Sequence, residues 1–257
     1  MTNLFIFILG AAIGSFLNVL IERLAHDESI NGRSHCDFCK HKLAWYDLIP
    51  ILSFLLLGAR CRYCHKKLSW QYIAMEVLTG IIFVLIYNFQ FTIFSENLKY
   101  QILNLMIMWG MASCAIVIFF SDLKYQLISD YLLIAFFIFS ILFHFQQVSQ
   151  LPVYVLSGLI VALPIFLLFY LSKERAMGLG DVYLAGIIGV ILGWQAGLIA
   201  LYISFIIGAV IGLILILIKN KKMKSKVAFG PFLIIGLIIM MYYQPQIFAL
   251  LHRIYKF

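Results

Sequence analysis

Runs of about 20 apolar residues recur along the whole chain, and no other feature restricts its fold as much. In hydrocarbon, every backbone N–H and C=O must find its partner inside the protein, so a segment of that length crosses as a helix. Eight such segments are expected, at 3–21, 70–88, 101–120, 129–147, 152–171, 181–194, 197–218 and 229–251. The sixth is short and follows a glycine-rich turn. Composition agrees: 64% of the 257 residues are hydrophobic and 12% are charged, where a soluble domain carries about a quarter. The expected class is all-α, a polytopic membrane protein with about eight transmembrane helices.

Charge decides the orientation, because Lys and Arg gather in cytoplasmic loops. With the N-terminus outside, those loops are 22–69, 121–128, 172–180 and 219–228, and they hold 16 of the 19 basic residues. Only Lys99, Arg253 and Lys256 fall on the other side. Both termini are therefore expected outside. The net charge of +8 serves topology and contact with anionic lipid, which argues against a nucleic-acid partner. No cation precedes the first apolar run (Met1-Thr2-Asn3), so that run reads as a transmembrane helix and not as a cleavable signal peptide.

The chain divides into a first helix (1–21), a cytoplasmic loop domain (22–69) and a seven-helix core (70–257). Within the loop, Leu48–Leu57 is apolar but too short to span, and it contains Pro50; a re-entrant or interfacial segment is expected. Pro164 is expected to kink the fifth segment. No repeat with a period of 20–50 residues stands out.

The loop also carries Cys36, Cys39, Cys61 and Cys64, two C-x-x-C pairs separated by 21 residues. Thiolates are soft ligands, and four of them close a tetrahedral structural zinc site. A cytoplasmic loop is the wrong compartment for disulfides. A stretch this long with little core of its own needs such a staple. His35, His41 and His65 flank the sites and read as exposed bystanders or outer hydrogen-bond donors. Cys114, inside the third segment, reads as a small packing residue.

Eleven residues are acidic. Asp27, Glu28, Asp37, Asp47, Glu96 and Glu174 lie in loops and read as solvated. Glu22, Glu76, Asp122, Asp130 and Asp181 lie at segment ends, where a carboxylate is costly and marks a functional site unless it merely sits at the headgroup boundary. Asp181 ends the run Met177-Gly-Leu-Gly-Asp181, whose Gly178 and Gly180 let a backbone approach closely. Asp122 ends the third segment on the same side. Two adjacent carboxyls cannot both ionise easily; one stays protonated while the other acts as base toward a water, which is aspartic-protease chemistry. Asp130, eight residues after Asp122, is a rival partner. A transporter with proton-relaying acids is the competing class.

Several motifs in order resemble one family. Gly14-Ser-Phe-Leu-Asn-Val19 with Glu22-Arg23-Leu24, the paired cysteine knuckles, Ser69–Glu76, Asp122–Asp130, Met177–Asp181 and Phe229-Gly230-Pro231-Phe232 together are similar to the bifunctional prepilin peptidases of type IV pilus, type II secretion and competence systems. The resemblance implies an aspartic endopeptidase in a bacterial cytoplasmic membrane. Its substrates would be prepilin or pseudopilin proteins, cut between a basic leader and an apolar helix at the cytoplasmic face. It implies Asp122 and Asp181 as the catalytic pair, zinc on the four cysteines, and methylation of the new N-terminus with S-adenosylmethionine in the cytoplasmic region. Asn18, Glu22, Arg23 and Glu76 are the polar residues near that region that could serve the methyl donor, although helix-end snorkelling is their ordinary explanation. The chain departs from the family's pattern at Ser129, where proline is usual before the aspartate, at Val182-Tyr183-Leu184, at Gly58-Ala59 and at Tyr72-Ile73.

Overall fold

Helix dominates because nearly every segment is apolar on all sides, and among the described residues no strand forms. The computed structural model describes residues 1–26, 28–29, 32–36, 38–93, 98–174, 177–218 and 228–255. Nine α-helices lie within them: α1 (Thr2–Ala25), α2 (Leu52–Leu56), α3 (Gln71–Ile93), α4 (Leu98–Tyr125), α5 (Asp130–Phe143), α6 (Leu151–Ser172), α7 (Leu179–Leu192), α8 (Trp194–Leu217) and α9 (Gly230–Tyr255). All but α2 coincide with an expected segment. Asp27, Asp37, Glu96, Arg175 and the lysine-rich 219–226 loop lie outside the described residues.

Six stretches are long and apolar enough to cross a membrane. The other two, α5 and α7, are apolar but have 14 residues each. The fourth expected segment is thus shorter than the sequence suggested. Its helix stops at Phe143, and a 3-10 stretch, Phe145–Gln150, takes over before α6. Pro164 lies inside an unbroken α6. Leu48–Leu57 forms the end of a 3-10 turn (Trp45–Leu48) and the five-residue α2, with Leu52, Leu55 and Leu56 exposed.

The chain forms two compact units, Met1–Val117 and Ile118–Phe257, so the division falls within α4. In the first, α1 crosses α3 at backbone contact. A Cβ on Gly14 would come within 2.9 Å of the Glu76 Cα, and one on Gly10 within 2.8 Å of the Gly80 Cα. Where lipid offers no hydrophobic drive, such close packing is what holds helices together. Phe83 of α3 stacks on Trp109 of α4, whose indole N–H donates to the Phe83 carbonyl at 3.2 Å. In the second unit, α7 packs on α6 through Gly189, where a Cβ would reach 2.9 Å from the Gly158 Cα. Most of α7 is buried, which fixes the depth of its first turn.

Candidate functional site

The second unit holds the two carboxyls of interest. Asp122 lies in the last turn of α4 and Asp181 in the first turn of α7. Both are buried, at 6% and 8% exposure, whereas Asp130 opens α5 and is exposed. Burial separates the rivals that spacing alone left open.

Each buried carboxyl accepts one glycine amide. Asp181 is the third residue of α7, and its Oδ2 accepts the N–H of Gly178, the residue that caps the helix, at 3.2 Å. An acid at that position satisfies an orphan amide and favours the positive end of the helix dipole. Asp122 Oδ2 accepts the N–H of Gly230 at 2.8 Å, across 108 residues of sequence and at the first residue of α9. Among the described residues, neither Oδ1 takes a hydrogen bond. Two buried carboxyls, each held through one oxygen, are candidates for acid–base chemistry.

The two glycines differ in their surroundings. The Gly178 amide donates to Asp181. The close approach at Gly180 is made by Ile128. Sequence reasoning missed both Ile128 and the amide of Gly230; the signature around Gly230 was visible, but nothing in it announced a bond to Asp122.

The first unit holds the cysteines. One ligand atom from each of Cys36, Cys39, Cys61 and Cys64 lies within 4.8 Å of all the others. The Cys36 and Cys64 sulfurs are 3.9 Å apart, close to the ~3.8 Å edge of a zinc–thiolate tetrahedron. The donor set therefore fits a closed metal site. The knuckles repeat at an offset of 25 positions, and the residues repeat with them: Cys36-Asp-Phe-Cys-Lys-His-Lys-Leu-Ala-Trp45 parallels Cys61-Arg-Tyr-Cys-His-Lys-Lys-Leu-Ser-Trp70, so the expectation of no repeat with a period of 20–50 residues is corrected. Lys40 N–H donates to the Cys36 carbonyl and His65 N–H to Cys61, Cys36 N–H to His41 and Cys61 N–H to Lys66. The bridges His35–Lys42 and Arg60–Lys67 match in the same way, and Lys40 and His65 both adopt positive φ. Burial pushes the Cys61 thiol up, but amides of Cys64 and Tyr63 and the Cys36 and Cys64 sulfurs outweigh it, bringing it down to about 7. A thiol held there gives up its proton to a metal readily.

Asp47, expected to be solvated, instead joins the knuckles. Its side chain is 3% exposed and accepts Arg62 Nε at 2.7 Å, Tyr63 Oη at 3.1 Å and the Ala44 N–H at 3.2 Å. His41 stacks on Tyr63, and none of the three histidines joins the sulfur cluster.

Beside the cysteine cluster lies a cavity lined by Asn18, Glu22, Arg23, Asp47, Tyr72 and Glu76, among others. Snorkelling does not describe these polar groups. Asn18, Arg23 and Glu76 are buried. Asn18 Nδ2 donates to the Tyr72 carbonyl at 3.0 Å. Arg23 donates to the carbonyls of Ser29, Gly32 and Arg33 at 3.2–3.3 Å, which draws the loop down onto the end of α1. Glu76 accepts the Ile51 N–H at 2.7 Å, and Ile51 has φ +63°, an unusual value for a β-branched residue.

Comparison with known proteins agrees with the two units. The model of the type IV leader peptidase family matches residues 109–213, and that of the bacterial peptidase A24 N-terminal domain matches 8–89. Curated relatives cover most of the chain. A prepilin leader peptidase/N-methyltransferase of Legionella pneumophila is 34% identical over 92% of this chain and 89% of its own length. Proteins with the same name from Myxococcus xanthus and Aeromonas hydrophila are 33% and 28% identical, over 84% and 90% of this chain and 64% and 87% of their own lengths. No solved structure matches the chain.

Proposed function

We propose that this chain, which belongs to the type IV leader peptidase family, cuts the leader from prepilin-like proteins and methylates the N-terminus it creates. The observation that carries the first activity is the pair of buried carboxyls, Asp122 and Asp181, each on one glycine amide and, among the described residues, without a bond to its second oxygen. One carboxylate takes a proton from a water, the water oxygen attacks the scissile carbonyl, and the other carboxyl, protonated, delivers its proton to the departing amine. Both aspartates lie at helix ends, matching a substrate whose basic leader stays in the cytoplasm while its apolar helix lies in the bilayer. The gathering of basic residues in alternate loops supports a reading with those ends and the cysteine loop on the cytoplasmic side of a bacterial membrane and both termini outside.

Zinc on Cys36, Cys39, Cys61 and Cys64 has a structural role: it closes the loop whose polar side chains line the cavity. S-adenosylmethionine supplies an electrophilic methyl group when bound. The cavity suits such a cationic, zwitterionic molecule, since Glu22, Asp47 and Glu76 face it together with Arg23, Arg60 and Arg62. Asn18 and Tyr72, joined by a hydrogen bond, and Glu76, which accepts the Ile51 N–H, are among its lining residues.

The test uses purified protein in detergent with a prepilin substrate and S-adenosylmethionine. A cut pilin carrying one methyl group on its new N-terminus is expected. Substrate left uncut in detergent, with activity only in sealed vesicles, would point to transport instead.

A further inference from the structure

We infer that Ile128 is a positioning residue for the aspartate pair: its side chain is wedged between Gly180 and Gly230 and sets the gap across which the two carboxyls act. The inference rests on the reading of Asp122 and Asp181 as the catalytic pair. It comes from one atom. Ile128 Cδ1 lies 3.3 Å from the place a Cβ would occupy on Gly180, and 3.3 Å from the place one would occupy on Gly230. Gly180 is the residue before Asp181. Gly230 is the residue whose amide holds Asp122 at 2.8 Å. A single methyl group therefore touches the two backbone points that carry the two carboxyls.

The wedge is rigid in itself and rigidly mounted. Ile128 is β-branched, so its side chain has little rotamer freedom. Its Cβ and Cγ1 also lie against Gly180, at 3.0 and 3.6 Å from the same imaginary Cβ. The backbone beneath it is tied to the end of α4. Ser121 Oγ donates to the Leu127 carbonyl at 2.8 Å, and the Gln126 N–H donates to the Asp122 carbonyl at 2.9 Å. On the other side, the Leu132 and Leu133 amides donate to the Ser129 carbonyl, starting α5. Ile128 thus moves with Asp122 while it presses on the first turn of α7 and on the first residue of α9. Both glycines are needed for this. A Cβ on Gly180 would come within 3.0 Å of Ile128 Cβ and push the wedge by a few tenths of an ångström, and one on Gly230 would come within 2.8 Å of Asp122 Oδ2.

Three variants of the full-length protein test the inference: Ile128→Val, which removes only Cδ1; Ile128→Ala, which removes the wedge; and Ile128→Leu, which keeps a terminal methyl without the β-branch. Cleavage kinetics on a prepilin substrate are measured with the unfolding temperature of each variant. A misplacement of about 1 Å costs about 100-fold in rate. Ile128→Ala is expected to lower kcat by about that factor and Ile128→Val by about tenfold, each with KM within about twofold of the wild type, because the pair and not the substrate is misaligned. Ile128→Leu should recover part of the loss. Wild-type kcat in Ile128→Val and Ile128→Ala would overturn the inference. So would losses confined to KM, or losses that follow lowered unfolding temperatures in both. Asp122→Asn and Asp181→Asn are run beside them. If either still cuts, the reading of the pair fails; if both are dead while Ile128→Ala is normal, only the wedge fails.

Discussion

The two units differ in how they hold buried polar groups. In Met1–Val117 Arg23 holds three carbonyls and Asp47 three donors, while Asn18 and Glu76 each hold one backbone group of a different segment. In Ile118–Phe257 the two aspartates take one amide each, and among the described residues the second oxygen of each carboxyl has no hydrogen bond. A carboxylate with every lone pair engaged is a strut. One that is held at a single oxygen remains able to exchange a proton. The difference teaches that burial alone does not mark chemistry: Asp47 is buried and bonded to three donors, whereas Asp122 and Asp181 are each bonded to one.

Substitutions should break the units apart. The largest effect is expected in the second unit. Asp122→Asn or Asp181→Asn should lower cleavage by about 1,000-fold or more, since each removes an acid–base partner, and product analysis on a gel checks it. Residual cleavage above a few percent would return both aspartates to helix capping. In the first unit, Cys61→Ser should lose the metal, read as zinc per chain by elemental analysis, and with it methyl transfer to an already cut pilin. A full complement of zinc in that variant would show that the four sulfurs are not its ligands.

Smaller effects sharpen the contrast. Glu76→Gln keeps the shape of the side chain but weakens its bond to Ile51, and should lower methyl transfer about tenfold, while cleavage stays within about twofold. Charge-assisted bonds are roughly twice as strong as neutral ones, which sets that scale. Equal losses in both activities would mean that Glu76 supports the whole fold. The smallest effect belongs to Asp130→Asn, expected within about twofold of the wild type for cleavage, because this aspartate is exposed at the start of α5.

Much of this was legible in the sequence, and the reasons for the remainder are physical. Eight helices could be read from apolar runs because lipid leaves the backbone no alternative. The four-cysteine cluster could be read because thiolate spacing is tied to one geometry. Helix length was less legible: α5 stops at Phe143 although Gln146 is the first strongly polar residue after His144, since a 3-10 turn and the ring stacking of His144 on Tyr154 intervene. Asp47 was misjudged because its partners, Arg62 and Tyr63, come from the other knuckle. The bond from Gly230 to Asp122 spans 108 positions and uses a backbone donor, which carries no residue signature at all.

The division of labour is tested most directly by mass spectrometry of an already cut, unmethylated pilin offered with S-adenosylmethionine to the Asp122→Asn/Asp181→Asn double variant. Methylation at close to the wild-type rate is predicted, alongside complete failure of the same variant to cut a prepilin. A double variant that neither cuts nor methylates, yet binds zinc and unfolds at the wild-type temperature, would contradict it.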